Sequence, residues 1–198
     1  MYMKWFLKNK RSIIKLIIFC IMIYLFAVLG TKDYQTDVTD NVRFANEYKD
    51  ISKNNIFTYA NENKVLDLLN GKSGIIFMAF PSNIWSHYYA EYLNDVAIDN
   101  DIEEICYYNF SKDRQLNNHT YMAIVEKLKN YLVADDLGKM DIKAPTVVVV
   151  KNGEILYFDD EIKNIKGEIK PEEYFTDYRK NFLKINFDKA LKAYQEKN

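Results

Sequence analysis

The sequence predicts an α/β fold, a mixed central sheet flanked by helices, standing behind an N-terminal transmembrane helix. Three observations predict it. Ser12 to Gly30, SIIKLIIFCIMIYLFAVLG, carries a single charge, Lys15. Beyond it, strand-like apolar runs alternate with segments of helical periodicity, the pattern of crossover units. Near the end, two short strands meet at Asn152-Gly153, a strong hairpin signal.

The N-terminal helix is justified by length and by charge. Nineteen helical residues span about 28 Å, close to the hydrocarbon thickness of a bilayer. Residues 1–15 contain Lys4, Lys8, Lys10, Arg11 and Lys15 and no acid, so the remainder holds 22 basic against 28 acidic side chains. The net charge of −1 therefore divides into +5 and −6. Such an asymmetry predicts a cytoplasmic basic flank (1–11), a signal-anchor (12–30) and an exported body. The expected address is the bacterial cytoplasmic membrane, single-pass, with the N-terminus inside and the domain outside. The alternative is a body secreted after cleavage near Gly30. The high ratio of lysine to arginine, 23 to 4, is an association with AT-rich bacterial genomes.

Residues 31–53 are polar with sparse apolar positions and are expected to be a linker or helical stalk. The main domain is expected over 54–170. Ile56–Tyr59 reads as a strand. Asn61 caps a helix carrying Val65, Leu66, Leu68 and Leu69, which Asn70-Gly71 ends. Ile75–Phe80 is a continuous apolar run, the pattern of a strand buried on both faces. Pro81-Ser82-Asn83 breaks it and starts a helix with Trp85, Tyr88, Tyr89, Tyr92, Leu93 and Val96. A third strand is expected over Ile102–Phe110, then a helix marked by Met122 to Leu132. Strands over Thr146–Val150 and Glu154–Phe158 form the hairpin, and Pro171 opens a C-terminal helix (171–198).

Composition excludes several classes. Six Gly and 3 Pro beside 48% hydrophobic residues exclude collagen-like and disordered chains. Two cysteines, Cys20 and Cys106, make no disulfide framework, zinc knuckle or iron–sulfur site. Cys20 reads as a side chain within the membrane span and Cys106 as a small buried hydrophobe of the third strand. No cofactor, no metal and no nucleic-acid partner is expected. Asp135-Asp136 and Asp159-Asp160-Glu161 lack the spacing of a calcium loop and read as solvated acidic loops. Ser82, Ser86 and His87 do not make a hydrolase: neighbours on one helix point about 100° apart, and no nucleophile elbow accompanies them. His87 is expected to face solvent.

Two blocks carry a resemblance. Gly74 to Ser86, GIIFMAFPSNIWS, resembles the buried strand, active-site turn and helix start of membrane-anchored bacterial thioredoxin-like proteins, including the bacteriocin transport accessory proteins. Ala144 to Glu154, APTVVVVKNGE, resembles the thioredoxin proline loop, strand and hairpin. In that family the turn holds Cys-x-x-Cys, whose first thiolate is stabilised at a helix N-terminus and attacks a disulfide. Here the four residues are Asn83, Ile84, Trp85 and Ser86, and no cysteine lies between Ile21 and Ile105. An amide and a hydroxyl cannot exchange electrons with a disulfide, so this chemistry is excluded at the turn.

The resemblance further implies a cis Ala144–Pro145 peptide facing the turn. It also implies a groove of Phe80, Ile84, Trp85, Ala144 and Pro145 in which an extended peptide pairs with the backbone before the proline. The expected function is thus a membrane-tethered, non-catalytic module that binds an exported peptide or a membrane protein, as an accessory in peptide or bacteriocin export. Two rivals stand beside it. One is a thiol–disulfide oxidoreductase working through Cys106 or a partner's cysteines, and the other is a structural component of an envelope complex.

Overall fold

A computed structural model of the chain describes residues 38–160 and 169–196, together with Phe19 and Ile21. The basic flank and the rest of the expected anchor lie outside the described residues. Among the described residues no helix is long and apolar enough to cross a membrane.

The elements follow in the order α1 (Asp40–Glu47), β1 (Phe57–Tyr59), α2 (Glu62–Leu69), β2 (Gly74–Met78), α3 (Ile84–Asp99), β3 (Ile105–Tyr108), α4 (Ser111–Gln115), α5 (His119–Leu128), β4 (Thr146–Lys151), β5 (Glu154–Asp159), α6 (Pro171–Tyr174) and α7 (Asp177–Glu196). The five strands form one mixed sheet in the order β1-β3-β2-β4-β5. β3 runs parallel to both β1 and β2, whereas β4 is antiparallel to β2 and to β5.

Three of the helices start on an asparagine, whose short amide reaches back to the unpaired first-turn N–H groups. Asn61 accepts from Lys64 N at 2.9 Å, Asn83 from Trp85 N at 2.9 Å, and Asn118 from Thr120 N at 2.8 Å. The central strands are buried on both sides because their side chains alternate between two cores. Ile75, Phe77, Tyr107, Val147 and Val149 face a core closed by α1, α3 and α7. Ile76, Met78, Tyr108, Val148 and Val150 face the other, closed by α2 and α5.

Three expectations need correction. The third strand is shorter than Ile102–Phe110, because Asn109 turns the chain: its Oδ1 accepts from Ser111 N at 3.2 Å and from Ser111 Oγ at 2.8 Å. The C-terminal helix is two helices, broken where Phe175 leaves helical geometry and buries itself against Tyr88, Tyr89 and Tyr92. The segment 31–53 is not a stalk from Thr39 onward, since Thr39 belongs to the same compact unit as the sheet. Phe44 and Tyr48 of this segment are fully buried, with Phe44 stacked at 3.9 Å on Phe57 and at 4.2 Å on Tyr48. The second of the two C-terminal helices, α7, is likewise part of the fold, burying Leu183, Phe187, Ala190 and Leu191.

Candidate functional site

The chain leaves β2 at Met78, turns through Pro81-Ser82, and enters α3 at Asn83. This places the helix N-terminus beside the loop that precedes β4, whose Ala144–Pro145 peptide is cis. Asn83 joins the two. Its Oδ1 accepts from Trp85 N and, at 3.3 Å, from Ser86 N, while its Nδ2 donates to Ala144 O at 2.9 Å. One side chain therefore occupies the first-turn donors that would favour an anion there and also the carbonyl that precedes the proline. An amide can do both at once, because it carries an acceptor and a donor; a carboxylate or thiolate cannot.

Of the five residues expected to share a groove, Phe80 and Ala144 pack against the core closed by α2 and α5, and Trp85 against the opposite core. Trp85 turns towards α6, meeting Tyr174 edge-on at 5.3 Å and Phe175 at 5.8 Å. Phe80 packs edge-to-face with Phe110 at 5.5 Å under the Arg114 guanidinium. Pro145 is buried, and Ala144 O is taken by Asn83. Ile84 stays exposed at 53%. Ser86 is fully buried, and its Oγ has no hydrogen-bond partner, so no base stands ready to activate it. That rules out the serine–histidine pair in this arrangement.

His87 is half-buried rather than solvent-facing. Its Nδ1 accepts from Lys49 N at 3.0 Å, which leaves Nε2 to carry the hydrogen and donate to Pro81 O at 2.8 Å. The imidazole thus ties the end of α1 to the turn, with the Tyr48 ring 5.0 Å away. Lys49 stands 38 positions from His87, a pairing that no local pattern reveals.

On this side of α3 a cleft of about 520 Å³ opens, with Pro81, Ser82, Ile84 and His87 along one wall. Glu47, Lys49 and Asp50 come from the end of α1 and the loop after it, Tyr88 and Glu91 from α3, and Glu172 from α6. Tyr88 donates to Glu172 Oε1 at 2.8 Å. Burial pushes the Glu91 carboxyl up, and the charges of Asp95 and Asp50 push it further against the opposing pull of Lys184 and Lys180. Hydrogen bonds from its own backbone N–H and from Tyr88 hold the Glu172 carboxyl down.

The remaining candidates have structural roles. Cys106 is 4% exposed, and burial followed by the Glu104 charge pushes its thiol up to about 11, so it is a protonated, sequestered sulfur at neutral pH. Asp135 Oδ1 accepts from Leu137 N and Lys139 N and so ties a turn. Asp159 and Asp160 are buried rather than solvated, and Asp159 accepts from Tyr89 and Tyr157. Glu161 lies outside the described residues. Among the described residues no three His, Cys, Asp or Glu side chains converge as a metal site.

The chain matches no protein-family model, no curated protein and no solved structure at a significant level.

Proposed function

We propose that the chain is a membrane-tethered, extracytoplasmic domain of thioredoxin-like fold that binds an exported peptide or a membrane protein and carries out no thiol–disulfide exchange. The sheet order β1-β3-β2-β4-β5 and the cis peptide at the start of β4, beside the N-terminus of α3, support the fold assignment. The observation that carries the functional reading is the Asn83 bridge. Where the family places a reactive thiolate, this chain places an amide that caps α3 and fastens the proline loop. Such a site is built to hold its shape rather than to cycle between two redox states.

The rival that works through Cys106 requires a thiolate reachable by substrate, and this thiol is buried and protonated. Ser86, by contrast, marks a place where sulfur fits: a buried hydroxyl without a partner is costly, whereas a thiol needs a hydrogen bond far less. The test uses the full chain in non-ionic detergent with dithiothreitol and a disulfide-bonded substrate. The wild-type chain is expected to give no reduction above the reagent background. The double variant Asn83→Cys/Ser86→Cys is expected to gain turnover, with Cys106→Ser added to it changing nothing. Wild-type turnover that disappears in Cys106→Ser would overturn the proposal.

A further inference from the structure

Asn83 takes the Ala144 carbonyl and Trp85 packs on Tyr174 and Phe175, while a cleft opens beside Ile84. Its walls come from α1, the loop after α1, α3 and α6, so it is a property of the folded unit and not of one charged segment. Its lining is lopsided: four carboxylates stand against one ammonium, that of Lys49, while Lys184 and Lys180 act on Glu91 and Lys170 on Glu172 from outside the lining. Glu47 is answered by Arg43 at 3.2 Å. Asp50, Glu91 and Glu172 meet no lysine or arginine within ion-pair distance among the described residues.

We infer that this cleft is where a partner is held, and that it takes an extended peptide segment bearing lysine or arginine. Charge complementarity supplies the sign of the ligand. Shape supplies the class. A cleft of about 520 Å³ suits side chains rather than a bare ion, and the described residues offer no converging ligand set for a metal. Exposed Ile84 and the half-buried Tyr88 ring give the aliphatic stem of a long basic side chain an apolar surface to lie on. The inference rests on the reading of the domain as a polypeptide-binding module and assigns that module its place and its partner's chemistry.

The probe is a fluorescein-labelled hexapeptide, Lys-Ile-Lys-Ser-Lys-Ile, with a counterpart in which glutamate replaces each lysine. Binding to the full chain in non-ionic detergent is read by fluorescence anisotropy at low and high salt. The basic peptide is expected to bind in a salt-sensitive manner, and the acidic one to fail. Glu91→Gln/Glu172→Gln is expected to weaken binding at least tenfold. The control Asp67→Asn/Glu126→Gln removes the same charge from α2 and α5 and should leave affinity within twofold. Absence of binding, equal binding of the acidic peptide, or an equal loss in the control would overturn the inference. A cellular partner that crosslinks at Ile84 yet tolerates Glu91→Gln/Glu172→Gln would remove the cleft chemistry and leave the module reading standing.

Discussion

Phe44→Ala is expected to destabilise the domain by about 3–5 kcal/mol, the range for removing a fully buried phenylalanine ring. The ring sits between Phe57 at 3.9 Å and Tyr48 at 4.2 Å, and meets Tyr107 edge-on at 4.9 Å. Truncation leaves a void that three aromatic neighbours cannot collapse into without leaving their own rotamers. In a chain of this size the loss corresponds to a drop in Tm of about 10 °C. Thermal unfolding followed by near-ultraviolet circular dichroism measures it. Asn46→Ala on the exposed side of the same helix should shift Tm by about 1–2 °C at most. If Phe44→Ala were equally silent, the segment would be the stalk that its sparse apolar content suggests.

Gly153→Ala is expected to cost about 3 kcal/mol, from two sources. Gly153 has φ +78°, where an L side chain costs about 1–2 kcal/mol. A Cβ there would also stand 2.8 Å from Gly71 N and 2.9 Å from Gly71 Cα, and backbone cannot swing aside as a side chain would. The approach is close because the hairpin tip docks on the loop after α2, Gly153 N donating to Lys72 O at 2.9 Å. Gly138→Ala separates the two sources. Gly138 has a similar φ of +76° with nothing within 4 Å of its Cβ position, so it should cost only about 1–2 kcal/mol. Urea unfolding of both variants reads the difference, and equal losses would show that the docking contact contributes nothing.

What the sequence discloses is local chemistry. The Asn61 cap, the helix start at Asn83, the run Thr146–Val150 and the Asn152-Gly153 turn are each written within a few residues and form where the pattern stands, whereas the apolar run Ile75–Phe80 outlasts its strand, which ends at Met78. The role of residues 39–53 is not written that way. An eight-residue helix joins the core through two aromatic plugs, Phe44 and Tyr48, whose i, i+4 spacing fits a short helix but does not say what that helix packs against. The site divides likewise. The turn at Asn83–Ser86 is legible, but the bond from Asn83 to Ala144 spans 61 positions, and that from Tyr88 to Glu172 spans 84. The cleft exists only because α1, α3 and α6 meet, so its charge is invisible in a net value of −1.

The central claim is that this domain binds a polypeptide at the N-terminal end of α3, and position-specific crosslinking in living cells tests it most directly. A photoreactive residue is placed at Ile84, which is 53% exposed beside the turn, and in a separate strain at Leu116, which is 66% exposed after α4. The account predicts a discrete, light-dependent adduct from position 84 and none from position 116. Adducts that form from position 116 while position 84 stays silent would contradict it and move the protein to the structural role in an envelope complex.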